Sequence, residues 1–278
     1  MIRICCDSGA QLDPALAERH GIEVVPLTVR IDGMTYLEGV DLDADGFWAM
    51  FENAHTPEIS TAAPSPGQFV EAYHHLIADG ASEIVSVHTG SAISATFDAA
   101  RLASQQVDVP VHLVDTGSAS FVVGCAALAA AERIAGGESA TSAATNAEQV
   151  AARSGNVFVV GALDLPRAGG RLARDTAEQA SPGPLPVMRL LHGEMSVVGH
   201  ADGIEDAAAK MATEILAAGD RLRVGLSVAD PGAREIVDAL RARLEAAPNQ
   251  LELLEYRVGP SVGAHTGPGT AGAVYHPV

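Results

Sequence analysis

Short apolar runs alternate with amphipathic stretches along the first half of the chain. Residues 2–6 form a run of Ile and Cys, interrupted only by Arg3, that ends at Asp7. Residues 14–20 follow with helical spacing, and a glycine separates them from a second apolar run at residues 22–25. This order of strand, helix and strand is typical of a parallel α/β sheet.

The alternation continues towards the C-terminus with a change of rhythm after residue 163. Asp32 and Gly33 lie between alternating stretches and predict a type I′ hairpin. A turn at His192 and Gly193 predicts a second hairpin. The pattern predicts one α/β domain over residues 1–160 and a second over residues 161–278. Further strands are predicted at residues 84–88, 111–114, 157–163, 186–191, 194–198, 222–228 and 251–258, and helices at 67–77, 96–105, 124–134 and 233–245.

The composition points to an interior of small aliphatic side chains. The 278 residues are 47% hydrophobic but only 4% aromatic, and the chain is long enough to bury a sizeable core. Residues 126–131 are all Ala or Leu. An interior of this kind can pack against an aliphatic ligand as well as against its own side chains.

The charge balance argues against two classes of function. With 17 Lys and Arg against 35 Asp and Glu, the net charge is −18, which repels polyphosphates and makes nonspecific nucleic-acid binding improbable. Lys210 is the single lysine and lies in an amphipathic helical pattern. A phosphate-binding P-loop needs a lysine in its own motif, so neither P-loop chemistry nor a cofactor is expected.

The cysteines and the N-terminus predict a cytoplasmic protein. The three cysteines, two of them adjacent at Cys5 and Cys6, lack the spacing of a disulfide framework. The first residues reach a charged position without an apolar signal core. The longest nearly uncharged apolar stretch, residues 119–131, is shorter than the roughly 20 residues of a membrane span. No stable membrane insertion is expected.

Two hydroxyl-rich segments stand where α/β proteins place ligands. In the first, residues 60–69, Ser65 begins a capping box, whereas Thr61 precedes the helix and no capping role explains it. In the second, Ser94 precedes a predicted helix, and its hydroxyl together with the amides of Ala95 and Thr96 would form an anion site at the helix N-terminus. A plain N-cap role for Ser94 is the alternative.

A third segment lies at the C-terminus. Residues 267–272 match G-x-G-x-x-G, but only six residues follow, so a dinucleotide-binding unit is excluded. His265 is predicted to lie in a glycine-rich loop, where its imidazole could donate to a carboxylate or simply be solvated.

Metal and hydrolase functions find weaker support. His74 and His75 are adjacent and point apart on a helix, and no metal-binding motif occurs. Ser94 and His265 could belong to a nucleophilic triad with an aspartate such as Asp7 or Asp115, although Ser94 lacks the G-x-S-x-G elbow. A serine hydrolase of acyl esters using Ser94 and His265 is therefore the alternative function.

Together these segments resemble the DegV family, the fatty-acid-binding subunits of bacterial fatty acid kinase. The resemblance covers nearly the whole chain. Its motifs are Asp7-Ser8, Val25-Pro26-Leu27, Thr61 with Pro64-Ser65, Ser94-Ala95-Thr96, Asp115-Thr116, Gly169-Gly170-Arg171, Pro186, and His265-Thr266-Gly267-Pro268-Gly269.

The resemblance implies two α/β domains, a Rossmann-like parallel-sheet domain and a mixed-sheet domain, with a long-chain fatty acid buried between them. It implies that Thr61, Ser94 with the amide of Ala95, and His265 hold the carboxylate. Asp7, Ser8, Thr96 and Arg171 are secondary candidates, and residues 122–128 are candidate tunnel walls. It further implies a carrier that is not an enzyme and that presents the carboxylate to a fatty acid kinase catalytic subunit.

The chain departs from the family pattern at several positions. Ala62 and Ala95 replace a serine and a glycine, and Leu185 stands where lysine is common. Residues 199–202 replace a basic segment. Because a basic surface would help a kinase to dock, these departures bear on the partner more than on the ligand. A regulatory module with the same pocket is a third hypothesis.

Overall fold

The computed structural model describes residues 1–51, 57–161, 176, 185–191 and 193–278. Two single-turn 3₁₀ helices lie at Ser8–Ala10 and Pro231–Ala233. The other elements are, in chain order, β1 (Ile2–Asp7), α1 (Pro14–His20), β2 (Ile22–Val25), β3 (Thr28–Ile31), β4 (Met34–Leu37), α2 (Ala44–Ala49), β5 (Ile59–Ala62), α3 (Pro66–Ala78), β6 (Glu83–His88), α4 (Thr96–Ser104), β7 (Val111–Asp115), α5 (Phe121–Ala135), α6 (Ala140–Arg153), β8 (Gly155–Val159), β9 (Leu185–Leu191), β10 (Glu194–Ala201), α7 (Ile204–Leu216), β11 (Arg221–Val228), α8 (Arg234–Glu245), β12 (Gln250–Arg257), α9 (Pro260–Thr266) and β13 (Ala271–Pro277).

The strands form three sheets. A four-stranded sheet has the order β2-β1-β6-β7 with all neighbours parallel. A six-stranded sheet has the order β10-β9-β8-β13-β11-β12 and is antiparallel except between β11 and β12. The third sheet, β4-β3-β5, is antiparallel. The predicted fold class, with a parallel sheet followed by a mixed sheet, is confirmed.

Helices cover the sheets in layers. Helices α3 and α4 pack together and against the four-stranded sheet, and α5 and α6 contact both that sheet and β13. Side chains along β1 point alternately to the two faces of the parallel sheet. Ile4 and Cys6 lie in the core around α5, whereas Cys5 lies in the core around α3. Helices α7 and α8 pack against the six-stranded sheet.

One buried apolar cluster runs through both large sheets, from Ile4 to Tyr275. Strand β8, which lies before the predicted boundary at residue 160, pairs into the six-stranded sheet. The division into residues 1–160 and 161–278 stays a prediction.

Local signals identified most elements. Asp32 and Gly33 both have positive φ and join β3 to β4, which confirms the type I′ hairpin. Ser65 and Gln68 form the predicted capping box at α3. Helices α2, α6 and α9 and strands β5 and β13 are not predicted by the sequence patterns.

Helix α9 corrects the prediction that His265 lies in a loop. The helix has seven residues and includes Gly263, and its N-cap residue, Gly259, has no side chain to cap it. It forms because other parts of the chain hold it. A Cβ at Gly263 would lie 2.5 Å from the ring of Phe47 and 2.8 Å from that of Trp48, so a glycine allows α2 to pack closely on α9.

A buried carboxylate and a glutamine replace the missing cap. Oε1 of Glu38 accepts a hydrogen bond from the amide of Ser261 at 2.9 Å, and the side-chain oxygen of Gln11 accepts one from the amide of Gly259. Oε2 of Glu38 also accepts a bond from the Ser8 hydroxyl at 2.5 Å. Two residues near the N-terminus therefore fix the helix that carries His265.

These contacts predict a pH-dependent stability. Burial raises the pKa of the Glu38 carboxyl, and the hydrogen bonds from Ser261, Ser8 and Gln11 offset part of that effect. The stability that Glu38 contributes is present below the ordinary pKa of a glutamate and is lost as the pH rises through the raised pKa. Glu38→Gln removes this titration, so its Tm relative to the wild type should increase as the pH rises.

Thermal unfolding of the two proteins between about pH 4 and pH 8 measures this difference. Glu71→Gln, at an exposed position of α3, is the matched control for the loss of one carboxyl group. Parallel Tm curves for the wild type and Glu38→Gln would contradict the role given to Glu38.

Candidate functional site

A cavity lies where the three sheets meet. Its volume is about 140 Å³. The cavity is lined by the loops after β1 and β6 of the parallel sheet and by Thr61 of the three-stranded sheet. Strands β8 to β13 of the six-stranded sheet line it from another side, and α9 closes one side.

The loops after β1 and β6 reach the cavity because parallel strands end at the same edge of their sheet. Gly9 follows β1, and Thr89, Ile93 and Ser94 follow β6, and all four line the cavity. This is the edge at which ligands bind in open α/β sheets.

Two of the predicted site residues are in direct contact. Oγ1 of Thr61 on β5 lies 2.9 Å from Nε2 of His265 on α9, although 204 positions separate them. Both side chains line the cavity and are half-buried. Either group can be the donor, depending on the tautomer of the imidazole.

Ser94 lines the same cavity from the parallel sheet. Its hydroxyl lies 2.7 Å from Oγ1 of Thr96 and accepts a weaker bond from the Thr96 amide at 3.3 Å. The N-cap residue of α4 is Ala95, not Ser94. The structure therefore brings Thr61, Ser94 and His265 to one cavity.

The other predicted residues lie behind the residues that line the cavity or beside them. Ala95 is exposed, Thr96 is buried beneath Ser94, and Ser8 bonds to Glu38 and the Leu27 amide. None of the three lines the cavity. Arg171 lies outside the described residues.

Asp7 supports two of the loops that line the cavity. Its buried carboxylate accepts bonds from the amide of Gly9 and from the amide and hydroxyl of Thr89, at 2.8 to 3.0 Å. Nδ1 of His88 lies 3.1 Å from the same carboxylate. Asp7 thus holds together the loops after β1 and β6, both of which line the cavity.

His88 continues this network into the core. Its Nε2 lies 2.6 Å from the Ser86 hydroxyl, which in turn lies 2.9 Å from the Tyr73 hydroxyl. Ser86, His88 and Asp7 have the order of a catalytic triad, but all three are fully buried and none lines the cavity. The network satisfies buried polar groups and stabilises the loop that carries Thr89.

The triad predicted for the hydrolase alternative gains no geometric support. The Ser94 hydroxyl engages Thr96, and Nε2 of His265 engages Thr61. Asp7 accepts bonds from Gly9 and Thr89. Asp115 accepts bonds from Ser91 and the Gly117 amide. These partners replace the serine–histidine–aspartate chain that the alternative requires.

The predicted tunnel wall at residues 122–128 is wrong. These residues are buried inside α5, which packs between the parallel sheet and β13. The helix borders the cavity only through the two residues before it, Ala119 and Ser120. The apolar wall comes instead from the six-stranded sheet, α9 and three loops, through Leu27, Ile93, Phe158, Leu190, Met195, Val258, Val262, Ala273 and Val274.

Asn156 on β8 is a cavity residue that the sequence analysis missed. Its side-chain oxygen accepts a bond from the Leu190 amide at 2.6 Å, and its side-chain nitrogen donates to the Leu190 carbonyl at 3.0 Å. The pairs Phe158 with Met188 and Val159 with Val187 set the register, which places Asn156 opposite Leu190. The amide thus replaces backbone pairing and holds β8 and β9 apart where both border the cavity.

Ser120 is a second missed residue. Its backbone has φ 61° and ψ −152°, a region that is occupied almost only by glycine and costs about 1–3 kcal/mol. Its hydroxyl lies 3.2 Å from the Tyr256 hydroxyl on β12, and both residues line the cavity. The signal that could have found Ser120 is the polar run after β7, at the ligand-binding edge of the parallel sheet.

Titratable side chains in the described part of the chain form no cluster suited to a metal ion. The three cysteines are free and buried. Among the described helices, none combines the length and apolar character that a membrane span requires.

Known proteins resemble the chain along its whole length. A DegV domain-containing protein of Streptomyces coelicolor is 35% identical over 277 residues, which cover 98% of this chain and 97% of that protein. The structure of a DegV family protein from Thermus thermophilus, described for its fatty acid binding, superposes with a TM-score of 0.91 at 27% identity and covers 100% and 99% of the two chains.

A Bacillus subtilis DegV, described as a fatty acid binding protein, gives a TM-score of 0.85 at 25% identity and covers 100% and 99% of the two chains. The family described as "Uncharacterised protein, DegV family" matches residues 1–278. The chain therefore belongs to the DegV family.

Proposed function

We propose that the protein binds a long-chain fatty acid in this cavity and presents its carboxylate to a separate kinase. The observation that carries the proposal is the cavity itself, in which Thr61, Ser94 and His265 supply polar hydrogens beside a wall of aliphatic side chains. The fatty acid binding described for the Thermus thermophilus and Bacillus subtilis proteins supports the same ligand class.

Neutral donors suit the carboxylate of such a ligand. The Thr61 and Ser94 hydroxyls can each donate to a carboxylate oxygen, and Nε2–H of His265 can donate to the carboxylate in place of its bond with Oγ1 of Thr61. Hydrogen bonds to a charged acceptor are about twice as strong as neutral ones. They need no lysine or arginine, which fits a chain whose net charge is −18.

The acyl chain provides most of the gross affinity. Each buried CH₂ group contributes about 0.8 kcal/mol, and the apolar wall provides the surface that buries it. The three carboxylate donors are half-buried. The carboxylate end of the ligand would thus stay partly accessible, as presentation to a partner requires.

The kinase and the cytoplasmic location rest on the family resemblance and on the sequence. The chain carries no P-loop, because Lys210 is its single lysine and lies outside any such motif. A carrier of this kind obtains acyl phosphate chemistry from another protein. A pull-down with a fatty acid kinase catalytic subunit, with and without lipid, tests the partner.

The ligand itself is tested directly. Organic extraction of the purified, denatured protein followed by mass spectrometry should recover long-chain fatty acids, and adding such acids to delipidated protein should raise its Tm. Repeated failure to find a fatty acid, together with an unchanged Tm, would refute the proposal.

Substitutions at the three donors test the carboxylate site. Thr61→Val, Ser94→Ala and His265→Ala should each weaken fatty acid binding about 10- to 100-fold, since a hydrogen bond to a charged group contributes about 1.5–3 kcal/mol. Titration calorimetry on delipidated protein measures the change.

Ser60→Ala is the matched control for this series. Ser60 is the exposed neighbour of Thr61 on β5 and points to the other face of the sheet. The Ser60→Ala variant should bind fatty acid with the affinity of the wild type. Wild-type affinity in all three donor variants would show that the carboxylate lies elsewhere.

Asn156 is expected to set the room available to the acyl chain. In Asn156→Ala the strands β8 and β9 lose the amide that separates them, so the cavity should narrow and the bound lipids should shift towards shorter chains. The variant should also lose about 1–3 kcal/mol of stability, because the Leu190 amide and carbonyl lose their partners.

Asn249→Ala separates the two effects. The side chain of Asn249 donates to the carbonyls of Leu216 and Gly219, away from the cavity. Its loss should lower Tm without changing the chain lengths of lipids extracted from the protein. An unchanged lipid profile in Asn156→Ala would contradict the role given to Asn156.

A further inference from the structure

The cavity contains a second group of polar side chains. Ser120 precedes α5, Ser227 lies on β11 and Tyr256 on β12, and all three line the cavity. The Ser120 hydroxyl lies 3.2 Å from that of Tyr256, and Ser227 stands opposite Tyr256 in the pairing of β11 with β12. We call these three residues the hydroxyl triplet.

The triplet is held rigidly. The ring of Tyr256 stacks on Phe121 with centroids 4.7 Å apart and planes inclined by 16°. A Cβ at Gly225 would lie 2.6 Å from the Phe121 ring, so a glycine on β11 makes room for this stack. The positions of the hydroxyls are therefore set by packing before any ligand enters.

The backbone of Ser120 shows that its hydroxyl does not serve the helix. Ser120 occupies the N-cap position of α5 but makes no side-chain cap bond, and it has φ 61° although it is not a glycine. A capping serine would have extended backbone geometry and would bond to the helix amides. Here a strained backbone directs the hydroxyl to Tyr256 and the cavity instead.

Hydrogen-bond arithmetic leaves the triplet incomplete. Each hydroxyl has one O–H donor and two lone pairs. The bond between the Ser120 and Tyr256 hydroxyls uses one of their two donors, whichever way it points. One O–H of this pair and several lone pairs remain for a group inside the cavity, and a saturated acyl chain offers them nothing.

We propose that the hydroxyl triplet is a second polar subsite, which selects an acyl chain that carries a hydroxyl or oxo group remote from its carboxylate. The proposal deepens the proposed function and rests on it, because the carboxylate stays with Thr61, Ser94 and His265. The ligand oxygen accepts from the unused O–H of the triplet, and a ligand hydroxyl donates to one of its lone pairs.

The test compares octadecanoic acid with a series of its monohydroxylated isomers, using delipidated full-length protein and competition binding. At least one positional isomer should bind several-fold tighter than octadecanoic acid. Tyr256→Phe removes one hydroxyl and keeps the stacked ring, so the ratio of the two affinities should fall to one or below. Ser120→Gly should abolish the preference and raise Tm, since glycine accepts the backbone geometry.

Tyr275→Phe is the matched control, because Tyr275 lies on β13 and does not line the cavity. It should keep the wild-type ratio. The proposal is overturned if every isomer binds more weakly than octadecanoic acid in the wild type, or if Tyr256→Phe keeps the preference.

The two proposals fail differently. Binding of octadecanoic acid without any preference for hydroxylated isomers overturns the subsite and supports the proposed function. Binding of a hydroxylated isomer alone supports the subsite and overturns a general fatty acid carrier. Binding of neither overturns both.

Discussion

The attachment of helix α9 to the N-terminal part of the chain is the constraint on which the site depends. The helix has seven residues, contains a glycine and lacks a capping side chain of its own, so it is too short to be stable in isolation. Glu38 and Gln11 bind its first amides, and Phe47 and Trp48 pack on Gly263. Only with these contacts does His265 reach Thr61.

Under the proposed function, this attachment explains how an acidic protein holds an anion. The net charge of −18 repels anions at a distance, yet the cavity offers donors whose positions are set by β5, the loop after β6 and α9. The one buried carboxylate that supports α9, Glu38, has its oxygens turned to Ser8, Gln11 and Ser261, and it does not line the cavity. This acidic side chain thus supports the site without facing the cavity.

The parts of the fold that local patterns control could be predicted. The strand-helix alternation, the hairpin at Asp32 and the capping box at Ser65 each depend on neighbouring residues, and each is present. Helix α9 was not predictable in this way, because its capping partners lie more than 200 positions away. Its Pro and Gly residues are typical of a loop when they are considered locally.

The same distinction between local patterns and distant contacts applies to the residues of the candidate site. Thr61, Ser94 and His265 were found through motifs that resemble a known family, whereas periodicity alone left each of them with an ordinary structural role as an alternative. The wall predicted at residues 122–128 was wrong because apolar periodicity shows that a helix is buried but not which neighbour buries it. Ser120, Ser227 and Tyr256 come from three elements, and no local pattern joins them.

The central claim is that neutral donors hold an ionised carboxylate in the cavity. The most direct measurement is the carbon-13 NMR signal of carboxyl-labelled hexadecanoic acid bound to delipidated protein, followed as the pH is lowered. Hydrogen bonds to the charged form lower the pKa of a carboxyl, so the account predicts a bound signal that stays that of a carboxylate well below the pH at which the free acid is protonated. A bound signal that titrates as the free acid does, or that is protonated at neutral pH, would contradict the account.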